Sequence, residues 1–393
     1  MLIDLENTKE NVVSVCWQWN HLATPFLYEQ IILTKEKTML KLYDVVSKPN
    51  TPSRALGPII IRLDVAVFNS SKSQCFQTTS DLFSYTPNLV TLNLPYTLGI
   101  SFDEDYCHSI PASVQHLHWM DMGGAGSEVP TPVWISFLDN HPNLKSLNCF
   151  PSLTESPSEE YKATTSSSIL NRPNARKWSS IEELVLQNEA QRQYLEVLPP
   201  DQFPNLHTVH FTHRGLAEHR SFLATHGRNL TVVHITAAYI LATPTPTPIV
   251  DYLHQLADHC PKLKELHWTW DETSMELAGE LPDPADSNSP LLPKLNITTL
   301  GIEFRTHQLR KREVETFFWT ALSWFEREEF PLLTTIRFIS EVNLFHLREK
   351  HSPRLTPFLN ECVLLGIRVE DHFGDQLTRT RAPQRRMLPQ MVL

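Results

Sequence analysis

A short pattern of apolar residues, spaced apolar-x-x-apolar-x-apolar, recurs along most of the chain. Four copies are nearly identical and follow a proline: PNLVTLNL begins at Pro87, PNLKSLNC at Pro142, PNLHTVHF at Pro204 and PKLKELHW at Pro261. With seven looser copies the middle apolar residues are Leu63, Leu92, Leu117, Leu147, Leu184, Val209, Val233, Leu266, Leu300, Ile336 and Ile367. Their spacing of a few tens of residues is typical of one supersecondary unit per repeat.

The sequence around each copy alternates between two periodicities. Within the copy, apolar residues recur with period two, as in a short strand with one buried face. Several preceding segments space apolar residues by three and four, as an amphipathic helix does, and then stop at a proline, for example IVDYLHQLADHCPKL between Ile249 and Leu263. Because proline cannot continue a helix, each unit is predicted to be a helix, a proline turn and a strand.

Neither half of this unit can bury its apolar side alone, so consecutive units are expected to stack, with parallel strands in one sheet and helices on its outer face. Over residues 56 to 370 the pattern resembles the leucine-rich repeat. The resemblance implies an α/β fold, a horseshoe-shaped solenoid of about eleven irregular repeats. The asparagine or cysteine that follows the strand in this family is replaced, for example by Thr97, Glu189 and Asp271. Loops, and not an asparagine ladder, are therefore expected to satisfy the turn backbone.

The segment SVCWQWNHLATPFLYEQIIL, residues 14 to 33, is far more apolar than the residues before it. One predicted helical face and its continuation beyond Pro25 carry Val15, Cys16, Trp19, Leu22, Ala23, Leu27, Tyr28 and Ile31. This pattern is similar to the second half of the F-box, a helical module that precedes leucine-rich repeats in many ubiquitin-ligase adaptors, and it looks most like the fungal members. In that family the module docks on the Skp1 subunit and the repeats hold a substrate. The resemblance implies Skp1 contacts by Val15, Cys16, Trp19, Leu22, Pro25, Leu27 and Tyr28.

The family's first F-box helix, which opens with Leu-Pro-x-Glu-Ile-Leu, has no counterpart ahead of Val15, so the module is expected to be truncated at its N-terminus. The alternative is that residues 14 to 33 only cap the first repeat, because the end of an apolar stack needs covering. The expected organisation is a partial F-box-like helical module in residues 1–33, an irregular repeat solenoid in 34–378 and a basic disordered tail in 379–393.

Composition narrows the classes of function. A formal net charge of -10 argues against a general nucleic-acid binder, which needs a basic surface. The six cysteines form no CxxC pair, so a reducing compartment is expected, and neither a zinc knuckle nor a disulfide framework is indicated. The acidic N-terminus resembles no signal peptide, and no long apolar window predicts a membrane span. We expect a cytoplasmic or nuclear monomer within a larger complex, with no nucleic-acid or membrane contact.

Polar residues between the apolar strand positions should face the concave side of the sheet. The predicted central column reads Asp64, Asn93, His118, Asn148, Val185, His210, His234, His267, Gly301, Arg337 and Arg368. Three of its four histidines lie on consecutive repeats, so their side chains should be separated by about 4.8 Å of sheet. The predicted partner-binding residues on this face and its flank are His116, His118, Glu183, His210, His234, Glu265, His267, Arg337 and Arg368.

The sequence is consistent with three alternative functions for this face. The favoured one is a non-enzymatic adaptor, the substrate-recognition subunit of a Skp1-cullin-F-box ubiquitin ligase, which holds a protein substrate on the concave side. The second is a leucine-rich-repeat scaffold or inhibitor-like binder with no ubiquitin-ligase role. The third, an enzyme or metal site on the histidines, is disfavoured because strand spacing alone does not supply tetrahedral geometry. No catalytic motif or cofactor fingerprint is present, so neither a cofactor nor a metal is expected. A pH-sensitive partner contact through His234 and His267 is a further hypothesis.

Overall fold

The structure of the protein is a computed structural model. It describes residues 25–48, 56–66, 72–94, 104–119, 131–148, 177–186, 201–211, 220–237, 249–271, 293–305, 330–340, 344, 347–348 and 352–377. The chain divides into two compact units, and the boundary lies between Ile181 and Glu182.

The first unit contains five parallel strands that pair in chain order. They are β1 (Gln30–Leu33), β2 (Arg62–Val65), β3 (Thr91–Leu94), β4 (His116–Trp119) and β5 (Ser146–Asn148). Residues 25–29, ahead of β1, are helical. The other helical segments that the structure describes in this unit lie between the strands. They are α1 (Glu36–Ser47), the 3-10 helix Gly57–Ile59, α2 (Lys72–Tyr85), α3 (Glu104–Ser109) and α4 (Thr131–Asn140).

The second unit contains seven parallel strands, again paired in chain order. They are β6 (Glu183–Leu186), β7 (Thr208–Phe211), β8 (Val232–Ala237), β9 (Glu265–Asp271), β10 (Thr299–Arg305), β11 (Thr335–Phe338) and β12 (Arg368–Glu370). Its helical segments are α5 (Arg220–His226), the 3-10 helix Gly227–Asn229, α6 (Ile249–His259) and α7 (Ser352–Leu364).

Alternate residues enter the core in strands such as β2, β3, β4 and β7, as the period-two pattern predicts. In the second unit the middle apolar residues of β7, β8 and β9, which are Val209, Val233 and Leu266, are fully buried and paired in register. Helices cover this side of the sheet: the ring of Phe211 meets Phe222 of α5 and Tyr252 of α6 edge to face, with centroids 5.8 and 6.4 Å apart. The opposite side of the sheet therefore carries the polar residues.

The turn before most of the described strands is closed by one backbone hydrogen bond. In the proline-containing copies the residue before proline accepts from the leucine three positions later: Leu89 N–H donates to Thr86 O over 3.1 Å, and Leu263 N–H donates to Cys260 O over 3.0 Å. Proline suits this geometry because its fixed φ matches the second position of such a turn. The backbone of these turns thus satisfies itself, which accords with the missing asparagine ladder.

At the start of eight of the twelve described strands, a single carbonyl oxygen of one repeat accepts two consecutive N–H groups of the next. Thr231 O, for example, accepts from Lys264 N at 2.8 Å and from Glu265 N at 3.0 Å. The same arrangement recurs at Ile61, Val90, Gln115, Glu182, His207, Lys264 and Thr298. We call these oxygens the lead carbonyls. Because each one fixes two donors of the following repeat, it sets where the next strand begins.

The predicted fold class, an α/β leucine-rich-repeat-like solenoid, is confirmed, since both units repeat the unit of turn and parallel strand under helices. Ten of the eleven predicted middle residues lie within strands. No helix in the described ranges is both long and apolar enough to cross a membrane.

Two boundaries differ from the prediction. Residues Gln30–Leu33, assigned to the helical module, form β1 and pair in parallel with β2, so the sheet begins before residue 34. At the other end, the copy centred on Ile367 predicts Leu364 as its first core position. Leu364 is instead the exposed last residue of α7. Gly366, with φ of 72°, follows that helix in the left-handed conformation that glycine favours. The strand then starts later, so Val369 and not Ile367 pairs with Ile336.

We expect Leu266→Ala to lower the free energy of unfolding by about 2–5 kcal/mol, because it deletes a fully buried side chain from the core. Chemical denaturation followed by circular dichroism would measure the loss. Leu332→Ala removes the same atoms from a residue that is 51% exposed and should change stability far less. Equal losses in the two variants would contradict this description of the core.

Candidate functional site: the polar face of the second unit

Three histidines on consecutive strands form the centre of the polar face in the second unit. His210 of β7 pairs in register with His234 of β8, which pairs with His267 of β9. All three side chains are partly buried. We call them the histidine row. The structure therefore brings together the three histidines that the sequence predicted to be neighbours.

The rings of the histidine row touch one another. The rings of His210 and His234 are stacked, with centroids 3.8 Å apart and planes inclined by 11°. His267 meets His234 nearly edge-on, at 4.0 Å and 73°. The Nδ1 atoms of His234 and His267 are 3.1 Å apart, within hydrogen-bond distance. The row is thus one packed cluster and not three separate side chains.

Two predicted glutamates flank the row. Glu183 Oε1 lies 2.6 Å from His210 Nε2, and Glu265 Oε2 lies 3.3 Å from His267 Nε2. If the carboxylate of Glu265 accepts the Nε2–H of His267, the Nδ1 of His267 carries a lone pair and accepts from His234 Nδ1–H. Both hydrogen bonds are then satisfied with neutral imidazole rings.

Burial favours the uncharged form of the inner histidines. Burial, together with the neighbouring His210 and His267, lowers the pKa of His234 to about 2. The pKa of His267 is also lowered, chiefly by burial and in part by Arg337 and His210, although Glu265 opposes the change. His234 is therefore neutral between pH 6 and 8 and does not support the hypothesis of a pH-sensitive contact in that range, and the lowered pKa of His267 favours its neutral form.

A glycine beside the row makes room for it. Gly301 of β10 pairs with His267, and a Cβ built on Gly301 would lie 2.7 Å from Cδ2 of that ring and 2.8 Å from Cδ1 of Ile339. Both distances are shorter than a carbon–carbon contact allows. A side chain at this position would have to displace the imidazole of His267, so Gly301 permits the packing of the row.

The face ends at a buried carboxylate that the sequence analysis did not single out. Glu370 pairs in register with Arg337 and is 0% exposed. Its Oε2 accepts from Nε and Nη2 of Arg337 at 2.9 and 2.8 Å, and its Oε1 contacts Nη2 of Arg368. The prediction that Arg368 follows Arg337 in the central column is wrong: Arg368 pairs with Thr335 in the flanking column. If the start of β12 is placed correctly, the sequence predicts Glu370 next to Arg337 in the central column.

A short returning segment lies against β12. Glu370 forms an antiparallel bridge with Gln376, and Leu377 N–H donates to Val369 O over 2.8 Å. The tight turn between them is held by Asp371, whose Oδ1 accepts from the backbone N–H groups of Phe373 and Asp375 at 3.0 Å each. This hairpin completes the C-terminal end of the described sheet.

The first unit carries its own polar column, in which His118 of β4 pairs with Asn93 and Asn148. Asp64 of β2 accepts from Arg62 Nη2 at 3.0 Å and from Asn93 Nδ2. His116, also predicted to bind a partner, lies two residues before His118 on the same strand and is half-buried. These histidines belong to β4 alone and form no row in the first unit.

Most of the predicted Skp1-binding residues lie outside the described residues. The residues outside the description are Val15, Cys16, Trp19 and Leu22. The predicted tail at 379–393 also lies outside it. Residues 25–29 are helical; Pro25 is exposed, and Leu27 and Tyr28 are half-buried.

The histidine row does not have the geometry of a metal centre. In the ranges that the structure describes, no group of three or more His, Cys, Asp or Glu side chains is arranged to hold a metal ion. The threonines next to the row also have other partners, as when Thr269 Oγ1 donates to Glu303 Oε2 over 2.9 Å. What the arrangement offers is a surface of hydrogen-bonding groups, charged at its glutamates.

Comparison with known proteins gives little beyond this geometry. No family model matches the chain, and no curated protein matches it significantly. Among solved structures, it is similar to the leucine-rich repeat-containing protein LegL7 from Legionella pneumophila, with 13% sequence identity and a TM-score of 0.41, over 81% of this chain and 94% of that one. The fold assignment rests on the repeated turns and strands themselves.

We expect the stability of the protein to fall on acidification partly through His234. The folded pKa of about 2 lies below the ordinary value of 6.5, so the stabilisation is complete above pH 6.5 and is lost as pH falls toward 2. The slope attributable to this group is about 1 kcal/mol per pH unit.

Denaturation between pH 7 and pH 4 would measure this slope. His234→Gln should flatten it, whereas His108→Gln, at an exposed histidine of α3, should not. A chemical shift of His234 that titrates near pH 6.5 would contradict the buried neutral ring.

We expect Glu370→Gln to lower the free energy of unfolding by about 2 kcal/mol, because two arginines lose the carboxylate that balances them. This value is below that of a fully buried pair, since both arginines are partly exposed. Glu361→Gln, at an exposed position of α7, makes the same chemical change and should be nearly neutral. Thermal unfolding of both variants at pH 7 tests the difference, and an unchanged Tm for Glu370→Gln would disprove it.

Proposed function

We propose that the protein is a non-enzymatic protein-binding scaffold whose partner site is the polar face of the second unit. The histidine row carries this proposal. It places hydrogen-bonding side chains in register across three parallel strands, and burial lowers the pKa of two of the rings, His234 and His267. Stacked repeats of this kind typically present such surfaces to protein partners.

The geometry of the row supports binding over catalysis. The contacts of its rings are with one another and with glutamates, and Thr269 is directed to Glu303 and not to a histidine. An activated hydroxyl nucleophile would need a hydrogen bond to a general base. The face is therefore better suited to recognise a partner than to transform one.

The more specific proposal is that the protein is the substrate-recognition subunit of a Skp1-cullin-F-box ubiquitin ligase. It is supported by the resemblance of residues 15–31 to the second half of the F-box, followed directly by leucine-rich repeats. Residues 15–28 would then contact Skp1, and the polar face would hold the substrate. The cytoplasm or nucleus, where such ligases act, is the proposed location.

A pull-down of the full chain with purified Skp1 tests the ligase role. We expect wild-type protein to bind and the double variant Trp19→Ala/Tyr28→Ala to lose at least tenfold in affinity, because both aromatic rings belong to the predicted docking surface. Leu332→Ala, at an exposed position of the second unit, is the matched control and should bind as wild type does. Failure of the wild-type chain to bind Skp1 would leave the alternative, a scaffold or inhibitor-like binder without a ubiquitin-ligase role.

A further inference from the structure

The side chains around the histidine row give the polar face of the second unit an acidic character. Among the strand residues of this face whose side chains the structure describes, there are four glutamates (Glu183, Glu265, Glu303 and Glu370) and two arginines, Arg337 and Arg368. Both arginines contact the buried Glu370. The glutamates that neither arginine contacts in this way, Glu183, Glu265 and Glu303, lie on β6, β9 and β10, so the negative charge is concentrated on this part of the face.

The two glutamates nearest the row are accessible. The side chains of Glu183 and Glu265 are 31% and 35% exposed, although each contacts a histidine. A neutral imidazole can donate a hydrogen bond to a carboxylate without cancelling its charge. Burial favours the neutral form of His267, so this ring does not offset the carboxylate of Glu265, which an incoming cation can approach.

The hydrogen-bond pattern of the histidine row favours a binding partner that donates hydrogen bonds. If Nε2–H of His267 is directed to Glu265 and Nδ1–H of His234 to His267, the remaining nitrogen of His234, Nε2, is an acceptor. Acceptor groups and negative charge therefore lie side by side on β8 and β9. A charged donor such as an ammonium or guanidinium group complements both features.

Glu183 and Glu265 occupy the same flanking column, three strands apart. Thr208 of β7 and Val232 of β8 lie between them in register. At about 4.8 Å per strand, the column separates the two glutamates by about 14 Å along the sheet. This span suits an extended peptide segment, in which residues on one side repeat about every 7 Å.

We propose that the polar face of the second unit binds a lysine- or arginine-bearing segment of a protein partner, with Glu183 and Glu265 as its two charge anchors. This inference rests on the proposed protein-binding function and specifies the chemistry of the partner. An acidic or phosphorylated segment would instead meet the carboxylates and be repelled.

Selection from a random dodecamer peptide display library against the full chain tests the inference. Selected sequences would be synthesised with a fluorophore, and their affinities measured by anisotropy at pH 7.4. We expect enrichment in lysine or arginine. Glu183→Gln and Glu265→Gln should each weaken binding by about tenfold, as for the loss of one charged hydrogen bond. His210→Ala should also weaken it, and Glu361→Gln, the same charge change on α7, should not.

The other outcomes separate this inference from the proposed function. Peptides that need His210 but carry no excess of basic residues would overturn the cation inference and leave the face as a binding site. Peptides insensitive to His210, Glu183 and Glu265 would overturn both. Equal weakening by Glu361→Gln would also overturn the inference, because the attraction would then come from the general negative charge of the chain.

Discussion

The lead carbonyls are the interaction on which the order of the sheet depends. One oxygen that accepts two consecutive N–H groups allows no slip of the following strand, because a shift by one residue would lose at least one of the bonds and turn the apolar residues away from the helices. Repetition of this bond through the second unit brings His210, His234 and His267 into one line. The polar face is thus a consequence of backbone geometry before any side chain contributes.

The histidine row shows how such alignment changes the chemistry of a residue. A single half-exposed histidine on a strand would titrate near neutral pH, but here each ring excludes water from its neighbour. Gly301 contributes by the absence of a side chain, which leaves space for the ring of His267. The neutral forms of His234 and His267 are consequently favoured, and the negative charge of the face comes from the glutamates beside the row.

The sequence predicts the strands well because two independent signals coincide. The period of two places leucines such as Leu266 in the core, and the proline turn marks where the strand starts. Both errors lie where the proline turn is missing, although β6 and β8 are predicted correctly without a proline. QIIL at Gln30 has neither proline nor alternation and was assigned to a helix, and β12 follows a glycine and was placed two residues early.

The candidate site was predictable as a column but not as a cluster. Strand spacing puts the three histidines side by side, whereas the stacking of two rings and the edge contact of the third depend on side-chain rotations that no periodicity contains. The role of Glu370 was hidden by the same two-residue error that misplaced Arg368. A register error of two residues therefore still predicts apolar residues in the core, but it predicts the wrong neighbours on the polar face.

The hairpin after β12 has a consequence for assembly. A parallel sheet that grows one strand per repeat ends in a row of backbone groups able to recruit a strand from another molecule. Here the returning segment takes up Val369 O through Leu377 N–H and turns sharply at Asp371. The last strand is thereby partly occupied by its own chain, which disfavours end-to-end polymerisation and lets a repeat architecture terminate at a defined length.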